Sequence, residues 1–310
     1  FHAVNACAYD HSVFAARRQA LMKRIEGSIA VLKGAPEPRA YVPFRQENNF
    51  YYLTGLEAPD ALLLVDAVRG QTILFLPPRD HEKERWEGKS FFAGPEIQAE
   101  TGIEQILEVA QFGAELKSRT RGDSVLYVPF APPETAAVSR DRALKYDAAR
   151  KNDSWDGRVG AQEAFVENLR AQLDGVTIKD LSPVLDAMRR VKDDREIELM
   201  RTAGRISALG LKEAMRSVRP GMYEYQVAAV AEFVFRRLGA QGFSFFPMVG
   251  SGPNSCFPHY HANRRRMESG DIVVMDIGAD YRYYQSDVTR TFPVSGKFSK
   301  DQAEAYRAVL

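Results

Sequence analysis

The stretch Asp271-Ile-Val-Val-Met-Asp276-Ile-Gly-Ala-Asp-Tyr-Arg-Tyr-Tyr-Gln-Ser-Asp287-Val-Thr-Arg-Thr-Phe-Pro293 constrains this chain more than any other. Ile272 to Ile277 is an apolar, β-branched run, Gly278-Ala279-Asp280 has turn chemistry, and Tyr283 to Phe292 returns with strand formers. The pattern predicts an antiparallel hairpin with one acid inside each arm. The separation of Asp276 and Asp287 is odd. A turn centred between Tyr281 and Arg282 sets them directly opposite each other, with Cβ atoms roughly 4.5–5.5 Å apart, where like charges are destabilising. A turn centred nearer Ala279 keeps them on one face but on a diagonal, a weaker bridging geometry. Something positive is expected between them. Two divalent ions about 3.5–4 Å apart, bridged by carboxylates, form a site that activates water for hydrolysis. The plainer alternative is a surface hairpin with two solvated acids. Asp276 argues against it, because Val273, Val274 and Met275 precede it and Ile277 follows. An acid in such a run is usually buried, and a buried carboxylate needs a partner.

The rest of the chain bounds the function class. With 310 residues it is long enough for two domains. Basic and acidic residues number 42 and 41, so there is no electrostatic case for a nucleic-acid partner. No apolar run approaches the ~18 residues that span a bilayer, and the first residues lack a signal-like apolar core. Cys7 and Cys256 are too few for a disulfide framework, which suits a reducing compartment and points to the cytoplasm. The chain has no initiator Met, and a helix capped by Ser299 opens with Ala303, Tyr306, Ala308, Val309 and Leu310 but meets no stop signal. The expectation is that these residues are the front part of a longer polypeptide.

Along the chain, a helix is expected from about Ser12 to Glu26, then strands at Ile29–Leu32, Phe50–Leu53, Ala61–Val65 and Thr72–Leu76. Arg79 to Lys89, which holds Trp86, reads as a solvated charged face. Thr101–Leu107 and Phe112–Lys117 read as helical, Ser124–Val128 as a strand, and 131–160 as exposed helix and loop. Gln162–Leu173 is a helix and Val176–Ile178 a short strand. Such alternation predicts an α/β amino-terminal domain over residues 1–181. From residue 182 to 310 two helices are followed by strands that carry acids, an α+β pattern. The first of these helices is capped at Asp193 or Asp194, with Ile197, Met200, Gly204, Ser207, Leu211 and Ala214 on one stripe. The second uses Val227, Ala231, Val234 and Leu238. Gly250-Ser251-Gly252 has neither the Lys nor the strand-to-helix context of a phosphate loop.

Phe246-Pro-Met-Val-Gly250-Ser-Gly-Pro-Asn254-Ser-Cys-Phe-Pro-His259-Tyr, followed by Gly270-Asp271 and the acid-bearing hairpin, resembles the proline-specific pita-bread metallopeptidases, aminopeptidase P above all. Phe44-Arg-Gln-Glu-Asn-Asn49-Phe-Tyr-Tyr-Leu-Thr-Gly55 is similar to the segment that opens that family's amino-terminal domain. The resemblance implies an α/β amino-terminal domain followed by an α+β pita-bread catalytic domain, incomplete in these 310 residues. It implies that Asp276 chelates one ion and Asp287 bridges two, usually manganese, and that metal-activated water attacks an Xaa-Pro bond. It implies that His259 hydrogen-bonds the substrate, whereas His261 matches no family histidine. Phe245 falls where the family walls the pocket for the residue before proline, with a core aromatic as the alternative. Trp86 matches a first-domain tryptophan that reaches towards an active site, with a surface cover as the alternative. A homodimer or homotetramer is implied by analogy.

The resemblance also requires a histidine and two glutamates supplied by later strands beyond the second aspartate, and these 310 residues stop at Leu310 before any of those strands. Two carboxylates alone hold a divalent ion weakly. A chain ending there is expected neither to retain two metals nor to cleave peptides, and a longer one to act as a peptidase on peptides with proline in second position. The competing readings are a prolidase restricted to Xaa-Pro dipeptides, a metal-free creatinase-like amidinohydrolase, and a non-catalytic binding module.

Overall fold

A computed structural model describes residues 11–38, 41–134 and 138–310, and the chain divides into two compact units, residues 1–191 and 192–310. Cys7 lies outside the described residues, and Cys256 is a free, exposed thiol.

The first unit runs α1 (His11–Arg24), β1 (Ile29–Lys33), α2 (Asn48–Thr54), β2 (Leu62–Asp66), β3 (Gln71–Leu76), α3 (His81–Glu87), α4 (Pro95–Thr101), β4 (Gln105–Glu108), α5 (Phe112–Arg119), β5 (Val125–Val128), α6 (Arg140–Lys151), α7 (Ala161–Gln172), β6 (Thr177–Asp180) and α8 (Ser182–Arg190). The strands form one sheet in the order β4-β3-β2-β1-β5-β6. Pairing is antiparallel among β1, β2 and β3 and parallel elsewhere. Successive side chains of a strand point to opposite faces, and both faces here are apolar. Ala30, Leu32, Leu63, Val65, Leu74 and Leu76 pack under α1, α2 and α8. Ile29, Val31, Leu62, Leu64, Ile73 and Phe75 pack under α5 and α7. The unit is a three-layer α/β sandwich, as the alternation of elements predicts.

Three expectations are corrected here. Phe50–Leu53 is helix and not strand: the buried Glu47 carboxylate caps α2 by accepting from the Phe50 amide at 2.7 Å, and Gly55 ends it with φ 72°. Thr101 closes a helix instead of opening one. Gly102 turns the chain at φ 60°, and residues 105–108 pair in parallel with β3. The division between units falls after Val191 and not at Leu181, because α8 buries Leu185 and Met188 in the first unit's core.

The second unit holds α9 (Asp194–Ser217), α10 (Glu224–Arg237), β7 (Gly242–Phe243), β8 (Met248–Ser251), a 3-10 turn (Gly252–Cys256), β9 (Ile272–Ile277), β10 (Ala279–Tyr281), β11 (Tyr284–Gln285), β12 (Val288–Pro293) and α11 (Lys300–Val309). Two small antiparallel sheets, β11-β10-β7 and β12-β9-β8, pack with α9 and α10. Asp193 caps α9 by a capping box with Glu196, one of the two caps expected. The buried stripe of α9 runs through Ala203, Ile206, Ser207, Gly210, Leu211 and Ala214, and Met200 is exposed. On α10 Phe235 is buried in place of Leu238. Gly210 explains the shift, since a Cβ there would lie 2.5 Å from the Phe235 ring. The missing side chain opens the slot that Phe235 fills.

Candidate metal centre

The acid pair is built by a hairpin whose turn sits later than expected. Arg282 and Tyr283, with φ 51° and 71°, form a two-residue turn between β10 and β11, and both positive angles meet the type I′ requirement. Gly278-Ala279-Asp280 is therefore not the turn, and the centre lies at neither of the two positions considered from the sequence. The register sets Asp276 opposite Thr289 and Ile277 opposite Val288, and one step further Asp287 faces Gly278. Asp276 and Asp287 are diagonal neighbours on one face, a separation of roughly 7–8 Å along the backbone that side chains can span.

Their carboxyl groups do meet. The Asp287 carboxyl is held above the usual carboxylate range, first by partial burial, although the residue as a whole is exposed, then by a hydrogen bond with Asp276 and by its negative charge. Asp276 is half-buried, on the more open face of β9, while Val273, Met275 and Ile277 point into the core. The alternation of the strand, hidden in an unbroken apolar run, places the acid outside the core. One oxygen, Asp276 Oδ1, is nevertheless buried with no hydrogen-bond partner. A buried carboxylate oxygen without a donor, beside a second carboxylate, is the arrangement a divalent cation satisfies. Asp276 and Asp287 thus fit such an ion as part of its ligand set. Among the described residues no group of three or more His, Cys, Asp or Glu side chains is arranged to hold a metal ion by itself.

Gly278 keeps the pair in register. A Cβ there would lie 1.7 Å from the Ser286 carbonyl and 2.4 Å from Ser244 Oγ. Ser244 donates its amide to the Gly278 carbonyl at 2.8 Å and its hydroxyl to the Ser286 carbonyl at 3.0 Å. On the other side Ser207 Oγ lies 2.7 Å from Ser286 Oγ and accepts from the Ala279 amide at 2.8 Å. The residues on either side of the two acids are tied to α9 and to the β7–β8 bend.

His259 lies in an exposed turn after the 3-10 segment that follows β8. Its carbonyl accepts from His261 Nδ1 at 3.1 Å, and the His261 ring packs on Phe246 at 4.7 Å between centroids. Among the described residues His259 makes no hydrogen bond to either acid. Phe245 is half-buried in the bend between β7 and β8. Trp86 is 81 % exposed on α3, a helix with no buried residue, in keeping with a charged solvated face around it.

Sequence reasoning missed Glu224. Its carboxylate, fully buried on the first turn of α10, accepts from the Ser251 amide and hydroxyl, from Asn254 Nδ2, from the Tyr260 hydroxyl and from the Arg265 amide. Burial pushes its pKa up, but the bonds from Ser251, Arg265 and Tyr260 outweigh that and hold it below the usual range. The available signal was an acid at a helix start directly after Pro220-Gly221-Met222-Tyr223.

Residues 198–310 match metallopeptidase family M24, and residues 14–129 match the aminopeptidase P N-terminal domain. The chain is 35% identical over 307 residues to an Xaa-Pro aminopeptidase of Escherichia coli, covering 96% of this chain and 65% of that protein. A solved structure of proline aminopeptidase P II from Yersinia pestis superposes with a TM-score of 0.77 at 31% identity, covering 97% of this chain and 67% of that one. The chain belongs to metallopeptidase family M24. It carries an aminopeptidase P-type amino-terminal domain before the pita-bread domain. This M24 chain is also 30% identical over 316 residues to a human Xaa-Pro dipeptidase, covering 96% of this chain and 59% of that protein. It spans about two thirds or less of the length of these curated relatives. No helix among the described residues is long and apolar enough to cross a membrane.

Proposed function

We propose that the protein is a metal-dependent exopeptidase that releases an amino-terminal residue standing before proline. The observation that carries this reading is the Asp276–Asp287 pair, with its orphaned Asp276 oxygen, on the M24 scaffold. Asp276 and Asp287 would hold two divalent ions, manganese by preference, together with ligands from outside the described pair. Bound there, the ions supply a water acidified to near neutral pH and polarisation of the scissile carbonyl. The chain's own contribution is electrostatic and positional. Two adjacent carboxylates concentrate negative charge that a shared proton or a bound cation relieves, and Gly278, Ser244 and Ser207 fix their register. His259 hydrogen-bonds the substrate from its turn, Phe245 walls the pocket for the residue before proline, and Trp86 is a further candidate for substrate binding. The substrate is a peptide with proline in second position. The protein works in the cytoplasm as a homodimer or homotetramer, and a monomer mass in light scattering would reject the assembly.

Incubating the full protein with Mn2+ and an Xaa-Pro-Xaa tripeptide tests the activity. Release of the first amino acid that a chelator abolishes is expected, and no release removes the reading. Similarity to the human Xaa-Pro dipeptidase favours a second reading, a prolidase, which cleaves the Xaa-Pro dipeptide and spares the tripeptide.

A further inference from the structure

The loop from Gly252 to Arg265, which carries His259, has almost no regular structure beyond its short 3-10 turn, yet both of its ends converge on one buried carboxylate. Glu224 Oε1 accepts from the Ser251 amide at 2.8 Å, from Ser251 Oγ at 2.7 Å and from Asn254 Nδ2 at 3.2 Å. Glu224 Oε2 accepts from the Tyr260 hydroxyl at 2.7 Å and from the Arg265 amide at 2.9 Å. Five donors on two oxygens saturate an ionised carboxylate, and no neutral side chain of that length accepts so many. The position at the first turn of a 14-residue helix adds the favourable field of the helix N-terminus.

The backbone agrees with the side chain. Residues 263 to 267 run beside the start of α10, with Tyr225 N to Asn263 O at 3.0 Å, Glu224 N to Arg265 O at 3.1 Å and Gly221 N to Met267 O at 2.8 Å. The Arg265 guanidinium donates to Ser251 Oγ and to Asp271, the residue before β9. Gly250 and Gly252 are needed for this fit: a Cβ on the first would lie 2.8 Å from the Asn254 carbonyl, and one on the second 2.6 Å from Asp271 Oδ1. The Gly-Ser-Gly run is thus the close-packed entrance to this clamp and not a phosphate loop. Asn254 anchors the chain five residues before His259, and Tyr260 anchors it one residue after.

We propose that Glu224, acting through Tyr260, is the positioning residue for His259, so that the buried carboxylate presets the turn that presents the imidazole to substrate. The proposal deepens the peptidase reading and rests on the role given there to His259. It is separable from that reading because the clamp can be measured without turnover.

Tyr260→Phe removes one hydroxyl from a half-buried side chain and leaves Glu224 with four donors, so the unit folds. Glu224→Gln keeps Oε1 for Ser251 and Asn254 but turns an N–H2 against the Arg265 amide, a donor facing a donor. In the full protein loaded with Mn2+, Tyr260→Phe is expected to lower kcat on an Xaa-Pro-Xaa tripeptide by about 10–100-fold, the scale of a small misplacement of a reacting group. Mn2+ stoichiometry is expected to stay unchanged. Adding His259→Ala should cost nothing more, because both changes remove one function. Unchanged kcat, or losses that multiply, would overturn the proposal. Amide hydrogen exchange gives the second reading: residues 254–260 are expected to exchange at least about tenfold faster in either variant while α9 and the centre of α10 stay protected. Unaltered exchange in 254–260 overturns the proposal even where the unmutated protein shows no peptidase activity, and that inactivity alone counts only against the peptidase reading.

Discussion

Two carboxylates make opposite demands on the same fold. Asp287, raised by partial burial and by Asp276, is a liability in the metal-free protein, since its ionised form is disfavoured by its surroundings. Asp287→Asn is therefore expected to raise the melting temperature of the metal-free protein slightly and to abolish Mn2+ uptake. Calorimetry with and without Mn2+ checks both halves. Glu224 is the reverse case, because its donors hold its folded pKa below the unfolded value of about 4.3. The stability it contributes is fully present above that unfolded value and is lost as pH falls through the lower folded one. Melting curves between about pH 6 and about pH 3 should show unmutated protein losing stability more steeply than Glu224→Gln. The sequence disclosed Asp276 and Asp287 because acids interrupt strand-like runs. Glu224 stayed hidden because its donors come from a β-strand, a turn and a loop up to 41 residues away.

At the scale of elements, glycines do more than turn the chain. Gly278 lies in the hairpin that was legible in the sequence, but its role is packing: the Ser286 carbonyl occupies the space of a Cβ. Gly278→Ala is expected to cost more than about 3 kcal/mol, beyond ordinary overpacking, and to disrupt Mn2+ uptake with it. Gly210→Ala, which meets the Phe235 ring and, at 3.2 Å, the Ala231 carbonyl, should cost about 1–3 kcal/mol and leave Mn2+ uptake intact. Urea unfolding of the two variants separates these outcomes. The helix α2 shows why periodicity failed elsewhere. Asn49-Phe50-Tyr51-Tyr52-Leu53 is aromatic enough to pass for a strand, and only the capping Glu47 and the Gly55 stop, both local polar details, settle it as helix. The reverse occurs at residues 105–108, where a strand paired in parallel with β3 follows a helix with no Pro between them. That pairing partner is about 30 residues distant, beyond the reach of a local pattern.

For the whole molecule, order of domains was the readable quantity. The alternation of strands and helices foretold a largely buried sheet, and the two long helices foretold the second unit. The boundary was misplaced by ten residues because Pro183 looks like a linker signal yet sits in the first turn of α8, where proline is well tolerated. What the fold delivers to function is a pair of acids held on one face by a fixed register. A calorimetric Mn2+ titration of the full protein beside its Asp276→Asn variant tests this most directly. Stoichiometric uptake by the unmutated protein that disappears in the variant is the expected result; no uptake by the unmutated protein, or equal uptake by both, would contradict it.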